Sequence, residues 1–249
     1  MKPKLSVITI VFNNVADIER TMLSVFNQTF PAIEYIVIDG ASTDGTKELI
    51  AGYADKLAVF VSESDKGIYD AMNKGLLLAT GEYVLFMNSG DELYAPDTVA
   101  SVFGSAPGAD IYYGETEMYD AHWHSLGQRR HRAPEQLDWK GFKYGMSVSH
   151  QAIYIKRDIT VPYDLRYRYS ADIDWIIKAL KKASLVVNTH QYVAKYLVGG
   201  ISKKKHRESL KERFQIFRRY YGLLPTLFYH TVIALKLAGY YIRHRRTND

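Results

Sequence analysis

The chain is predicted to be an α/β protein: a doubly wound, mostly parallel sheet with flanking helices and a C-terminal helical extension. Three observations predict this. Short β-branched runs alternate with stretches of helical spacing through the first half. Each run ends in small or polar residues of the kind that form turns. The 249 residues, 47% of them hydrophobic, suffice for one large domain with a full core.

In chain order, residues 4–12 (KLSVITIVF) form the first strand, bounded by Asn13-Asn14. The run is too short for a secretory signal. Residues 16–28 place Ile18, Met22, Val25 and Phe26 at helical spacing. Residues 33–40 are the second strand, and Ser42, Thr43 and Asp44 offer caps for the helix after it. Residues 56–63 give a third strand, 67–80 a third helix and 82–87 a fourth strand. The second half is less regular. Residues 109–119 and 146–157 read as strands, and 122–145 as an extended loop region without periodicity. Residues 170–183 form a helix with Ser170 as N-cap, and 206–219 another. Residues 223–242 are nearly continuously apolar but carry His230 and Lys236, which argue against a clean membrane crossing.

The absence of cysteine excludes disulfides, thiolate metal sites and cysteine nucleophiles, and fits a reducing compartment. Charge is divided. Residues 1–194 hold 19 Lys+Arg and 24 Asp+Glu, a net of −5; residues 195–249 hold 13 and 3, a net of +10. A basic tail of this kind predicts an anionic surface as partner.

In a doubly wound sheet, ligands bind beyond the carboxyl ends of the strands. Here those ends are Phe12-Asn13-Asn14, Asp39 to Gly45, Ser62 to Gly67, and Asn88-Ser89-Gly90-Asp91. Each alone is an ordinary turn. Together they place Asp39, Asp65 and Asp91 on one rim, where they repel unless a cation or hydrogen-bond donors intervene. Carboxylate and amide oxygens suit Mg²⁺ or Mn²⁺. No glycine-rich phosphate loop follows the first strand, so a metal-bridged diphosphate is the simpler reading.

The stretches SVITIVFNN, VIDGASTDGT, SESDKGIYDAMNKG and ATGEYVLFMNSGD, in this order and spacing, resemble the successive motifs of the family-2 inverting glycosyltransferases of GT-A fold. The resemblance spans roughly residues 4–202. It implies a GT-A catalytic domain over 1–202, with a donor half to about 115 and an acceptor half from about 116, followed by a basic amphipathic tail over 203–249. It implies a nucleoside-diphosphate sugar as donor, UDP before GDP, and a glycan or lipid-linked acceptor. Thr9 and Phe12 would line the base pocket, Asp39 would accept a hydrogen bond from the base, and Asn13 and Ser42 would belong to the donor-binding set. Asp65, Lys66 and Gly67 would lie along the nucleotide, with Asn73 and Lys74 on the next helix. For Lys66, Asn73 and Lys74, plain solvated positions are the alternative. The end of the fourth strand corresponds to the family's metal-binding Asp-x-Asp. This chain has Asn88-Ser89-Gly90-Asp91, so Asp91 would be the ligand for Mn²⁺ or Mg²⁺.

An inverting transfer needs one carboxylate to take the acceptor's proton. By resemblance that base is Asp172 in SADIDW, where Ala171 replaces a customary Glu; Asp174 and Trp175 follow on the same helix. Acids that merely decorate a helix N-terminus are the alternative. His150-Gln151 would lie near the acceptor, and Gly199, Gly200 and Ser202 would form a loop over the diphosphate. The tail is expected to lie on the inner face of the cytoplasmic membrane as basic amphipathic helices, or else to pack on protein. Cytoplasmic location and no nucleic-acid partner complete the expectation. A membrane-docked nucleotide-sugar-binding or partner-binding module without turnover is the competing reading, since two customary acids are absent.

Overall fold

The computed structural model describes residues 4–129, 131–199 and 205–245. Strand β1 (Leu5–Val11) is buried along its whole length, which accounts for its unbroken apolar and β-branched run. It lies parallel to β2 (Ile33–Asp39) on one side and to β4 (Tyr83–Phe86) on the other; β3 (Val59–Ser62) extends the sheet beyond β2. Helices α1 (Ile18–Phe26), α2 (Thr46–Ala51) and α3 (Ile68–Leu78) make the crossovers. Helix α3 approaches β1 so closely that a Cβ on Gly75 would stand 2.4 Å from Ile8 Cγ2. That position tolerates only glycine without movement of the helix.

After β5 (Glu92–Leu93) and α4 (Thr98–Ser105), the chain adds β6 (Ile111–Tyr119), β7 (Ser125–Gln128), β8 (Ile153–Lys156), α5 (Ala171–Leu180) and β9 (Val186–Leu197). Strand order is β3-β2-β1-β4-β8-β6-β9-β5, with β7 paired to β6. The four N-terminal strands are parallel; β8 runs antiparallel to β4 and β6, and β9 parallel to β6. The sheet continues from the expected donor half into the acceptor half without a break.

Three sequence expectations change. Residues 122–145 are not simply loop, because β7 forms a hairpin with β6 and Trp139–Tyr144 forms a 3₁₀ turn. The strand expected from residue 146 starts only at Ile153, since His150–Ala152 is a 3₁₀ turn. Strand β9 was not anticipated. Its polar residues and the left-handed His190 at a register shift break the alternation that would reveal it.

The tail consists of α6 (His206–Tyr221) and α7 (Leu223–Arg245), separated by Gly222 at φ +84°. Helix α6 packs on the α/β body. Ser209, Ile216 and Phe217 are buried, and Glu212 accepts from the backbone N–H groups of Arg168 and Tyr169, both at 2.8 Å. Tyr221 stacks on Trp139 at 5.8 Å, and Tyr229 on α7 meets Tyr144 edge-on. Leu223, Leu224, Leu227, Phe228 and Leu235 of α7 stay exposed. Among the described residues no helix is long and apolar enough to cross a membrane.

Candidate active site at the carboxyl ends of the strands

The ends of β1, β2 and β3 meet through short side chains that hydrogen-bond to one another. The Asp39 carboxylate, fully buried, accepts from the Ser42 N–H, the Ser42 hydroxyl and the Ser62 hydroxyl. Asn13, at φ +47°, donates its N–H to Ser42 Oγ (2.7 Å), and its Oδ1 accepts from the Thr43 N–H (2.9 Å). Asp39 and Ser42 therefore shape the rim rather than project from it. Thr9 lies deeper still, donating to the Met87 carbonyl and bonded to the Tyr35 hydroxyl. Phe12 does project: its ring is 63% exposed and so free to stack on a planar ligand. Between Phe12 and Asp65 lies Gly40, where a Cβ would stand 2.6 Å from Asp65 Oδ2 and 3.2 Å from the Phe12 ring. Phe12 and Asp65 therefore both pack over Gly40. Asp65 Oδ1 accepts from the Gly67 N–H, and Lys66 is exposed beside it.

Asn73 and Lys74 are held elsewhere. Asn73 clamps the backbone of Tyr163 with both its amide atoms (2.7 and 3.0 Å). Lys74 donates to the Ser64 carbonyl and pairs with Glu63 at 2.8 Å. Both fix α3 and its preceding loop to their neighbours.

At the end of β4 the turn is bonded on all sides but one. Ser89 Oγ accepts from Asn14 Nδ2 (2.9 Å), and Gly90, at φ +99°, donates to Thr21 Oγ1. Asp91 is buried, with one oxygen accepting from Gln151 Nε2 (2.5 Å) and the other from the Leu197 N–H (3.0 Å). Burial pushes its carboxyl up to about 6 against the pull of those donors and His150. Asn88 Nδ2 donates to His150 Nε2 at 3.0 Å, while Asn88 Oδ1 is buried with no hydrogen-bond partner.

His150 continues from Asn88 to the first turn of α5. With Nε2 accepting from Asn88, Nδ1 carries the proton and faces Asp172 Oδ2 at 3.6 Å. Tyr69 on α3 donates to the other Asp172 oxygen at 3.2 Å. Burial alone would raise the Asp172 carboxyl, but His150 and the Arg213 guanidinium outweigh it and hold the group below the usual carboxylate range. Asp172 is an ionised carboxylate whose neighbours come from α3, the turn before β8, and the tail.

Asp174 and Trp175 do not join it. Asp174 is fully buried between Lys178 (2.6 Å) and Tyr220 (2.7 Å), with Arg219 at 3.9 Å, and so ties α5 to α6. Trp175 stacks on Tyr163 at 4.9 Å and donates to the Val161 carbonyl, as part of the core. Gly199, at φ +137°, follows β9; Gly200 and Ser202 lie outside the described residues, as do Lys203, Lys204 and Arg246. Tyr69, Arg129 and Arg213 escaped the sequence reading. Tyr69 stands inside a quoted motif and was within reach; the two arginines have no local signal.

Among the described residues no three acids or histidines gather to hold a metal ion by themselves. The orphaned Asn88 Oδ1 suits an oxygen-preferring ion that brings further ligands with it, whereas both Asp91 oxygens already accept from Gln151 and Leu197.

The fold is of the GT-A type. Glycosyl transferase family 2 matches residues 6–161, and the chain belongs to that family. It is 35% identical over 211 residues to a PGL/p-HBAD biosynthesis glycosyltransferase of Mycobacterium tuberculosis, covering 80% of this chain and 79% of that one. Among solved structures, S. aureus TarS 1-349 aligns at a TM-score of 0.66 and 21% identity, covering 91% of this chain and 71% of that one. The chain spans 40% of the longer TarS chain. The mannosyltransferase PcManGT from Pyrobaculum calidifontis, solved with GDP-Man and Mn²⁺, aligns at 0.60 and 18% identity, covering 96% and 75%. At these identities the likeness shows the fold. The protein is a glycosyltransferase.

Proposed function

We propose that the enzyme moves a sugar from a nucleoside-diphosphate donor to an acceptor hydroxyl in one inverting displacement, with Asp172 as general base. The observation that carries this is the Asp172–His150–Asn88 relay. It links an ionised, partly buried carboxylate to the strand end where GT-A enzymes hold a diphosphate. The acceptor O–H loses its proton to Asp172 as the new glycosidic bond forms. The bond to the diphosphate breaks, and the electron pair leaves with the nucleotide. Tyr69 and His150 hold the carboxylate in place.

The donor base would stack on the exposed Phe12 ring. Asp65 is the better acceptor for a base N–H than Asp39, whose oxygens are already engaged by serines. UDP is the favoured nucleotide, supported by the TarS complex with UDP-GlcNAc. A divalent ion, when bound, would neutralise the leaving diphosphate, with Asn88 and Asp91 as its protein ligands. The acceptor is a glycan or a lipid-linked sugar.

Calorimetric titration of UDP and GDP, with Mn²⁺ and with chelator, tests the donor assignment. One nucleotide is expected to bind, more tightly with metal. In Asp172→Asn, nucleotide affinity should hold within about twofold while donor turnover falls by on the order of 10³, the usual scale for removing a general base. Turnover that survives in Asp172→Asn would remove Asp172 from the chemistry. Nucleotide binding without any turnover in wild type would favour the binding-module reading.

The exposed apolar side chains of α7, in a C-terminal segment (195–249) of net charge +10, further support peripheral contact with an anionic membrane. The full chain should sediment with phosphatidylglycerol vesicles at low salt and not with phosphatidylcholine vesicles. Equal recovery with both would leave α7 as a protein-packing helix.

A further inference from the structure

A groove begins one residue beyond Asp91. Helix α1 and its C-cap form one wall and present Glu19, Arg20 and Asn27 along one face. The other wall is the extended segment after Asp91, where Glu92 and Tyr94 alternate toward the groove. Lys195 of β9 joins them. The groove holds about 480 Å³, within the range of small-molecule sites. Four hydrogen bonds tie its walls together. Gly90 and Leu93 donate their N–H groups to Thr21 Oγ1 (2.9 Å) and Ser24 Oγ (3.1 Å). Gln28 Nε2 donates to the Ala95 carbonyl (2.7 Å), and the Thr29 N–H to the Pro96 carbonyl (2.8 Å). The site is therefore preformed.

Two acids and two bases line it, so an ionic ligand finds no net charge to neutralise. Glu92 lies between Arg20 (3.7 Å) and Lys195 (3.4 Å). Hydrogen-bonding capacity remains. At 3.7 Å the Arg20 guanidinium is beyond hydrogen-bond reach of Glu92 and is held by stacking on Trp123 at 4.1 Å, which leaves its N–H donors to a ligand. Glu19 accepts from the Tyr53 hydroxyl through Oε1 and keeps Oε2. Asn27 is exposed and offers an amide donor and acceptor. Apolar surface lies beside these groups. Leu23 is exposed, and the Tyr94 ring is backed by Tyr192 at 5.2 Å.

A sugar ring has an apolar C–H face and a rim of hydroxyls that each donate and accept. An aromatic ring beside a guanidinium, a carboxylate and an amide, with no net charge, answers both features. We propose that the groove between α1 and β5 binds a neutral saccharide, as a glycan site separate from the carboxylate of Asp172. The family supplies the occupant, because every product of a glycosyltransferase carries a sugar. Sugars already present on the acceptor or product are held there. This deepens the glycan-acceptor reading and does not depend on Asp172 as base. Both walls grow from the donor rim, α1 shortly after Asn14 and β5 directly after Asp91, so a chain held in the groove stays close to the donor site.

The test uses the full chain with isotope-labelled leucine and alanine methyls, followed by NMR. It is titrated with cellotriose, mannotriose and N-acetylated chitotriose, and with trigalacturonate as charged control. At least one neutral trisaccharide should shift the methyls of Leu23 and Ala16, which line the groove, with a Kd of about 1 mM or tighter. The shifts should persist in Asp172→Asn and with saturating UDP or GDP. Asn27→Ala and Tyr94→Ala should each weaken the binding by about fivefold to tenfold and leave nucleotide affinity within about twofold. Tyr94→Phe, which keeps the ring, should retain most of the binding and controls for a loosened fold. The proposal is overturned if no trisaccharide moves these methyls, or if the response is confined to residues beside Asp172. Tighter binding of trigalacturonate overturns it as well, since the groove would then select an acid. A chain that turns over donor yet leaves the groove silent overturns this proposal alone, whereas groove binding in a chain that takes neither nucleotide overturns the donor reading alone.

Discussion

On the donor side of the sheet, polar groups answer one another; around Asp172 the pairing is incomplete. Asp39 takes donors from Ser42 and Ser62, Asn13 takes Thr43, and Asn14 reaches Ser89. Around the base, Asn88 Oδ1, Tyr163 Oη and Arg213 Nε are all buried without a partner. Buried polar atoms left open cost stability. In the proposed reading, ligand contacts on the donor side come from Phe12 and Asp65, which project from a rim whose other polar groups are paired. Around Asp172, groups from α3, the turn before β8, α5 and α6 converge with some polar atoms left open.

The sharpest way to break this contrast is at the joint between α5 and the tail. Asp174→Ala removes the partner of Lys178 and Tyr220 and leaves the part-buried Lys178 ammonium and the Tyr220 hydroxyl unanswered. A loss of about 3–5 kcal/mol is expected, read by urea unfolding. Turnover should fall further than nucleotide affinity, because α6 carries Arg213. Equal loss of both would mean that the two sides do not separate.

A smaller effect tests Asp91, which lies between the regions. Its carboxyl is raised to about 6 in the folded chain, against about 4 unfolded. The folded state therefore favours the protonated form. Its contribution to stability is complete below pH 4 and is lost as the pH rises through 6. Relative to Asp91→Asn, wild type should lose on the order of 2–3 kcal/mol between pH 4 and 7 in denaturant melts. A flat difference would show that the carboxylate is not desolvated as its burial implies.

The smallest effect belongs to the donor side. In Gly40→Ala the new methyl meets Asp65 and Phe12, both able to swing away. Stability should change by no more than about 1 kcal/mol, while nucleotide affinity drops about tenfold through one disturbed charge-assisted hydrogen bond. Unchanged affinity would move the base elsewhere on the rim.

The two sides also differ in how far they can be read from residues alone. The first four strands, their helices and the rim they share were legible because each feature is local: a β-branched run, then a turn, then a helical stripe. Asp172 and His150 were reached through motifs. Their contact, and the relay to Asn88, were not, since 62 residues separate Asn88 from His150. Strand β9 and the β6–β7 hairpin were hidden by polar, irregular segments. Asp174 looked like a second site acid and proves to be a structural anchor. Its burial depends on Tyr220, 46 residues away.

The sequence by itself determined the α/β class, the family and the identity of the proposed base. These rest on hydrophobic periodicity and on short motifs whose members fold against near neighbours. Only the tertiary structure decided that Asp39, Asn73 and Lys74 are spent on the scaffold, and that a tail helix brings an arginine to Asp172. Which donors saturate a carboxylate, and which leave it open, depends on chain segments that meet only once the sheet and its helices have packed.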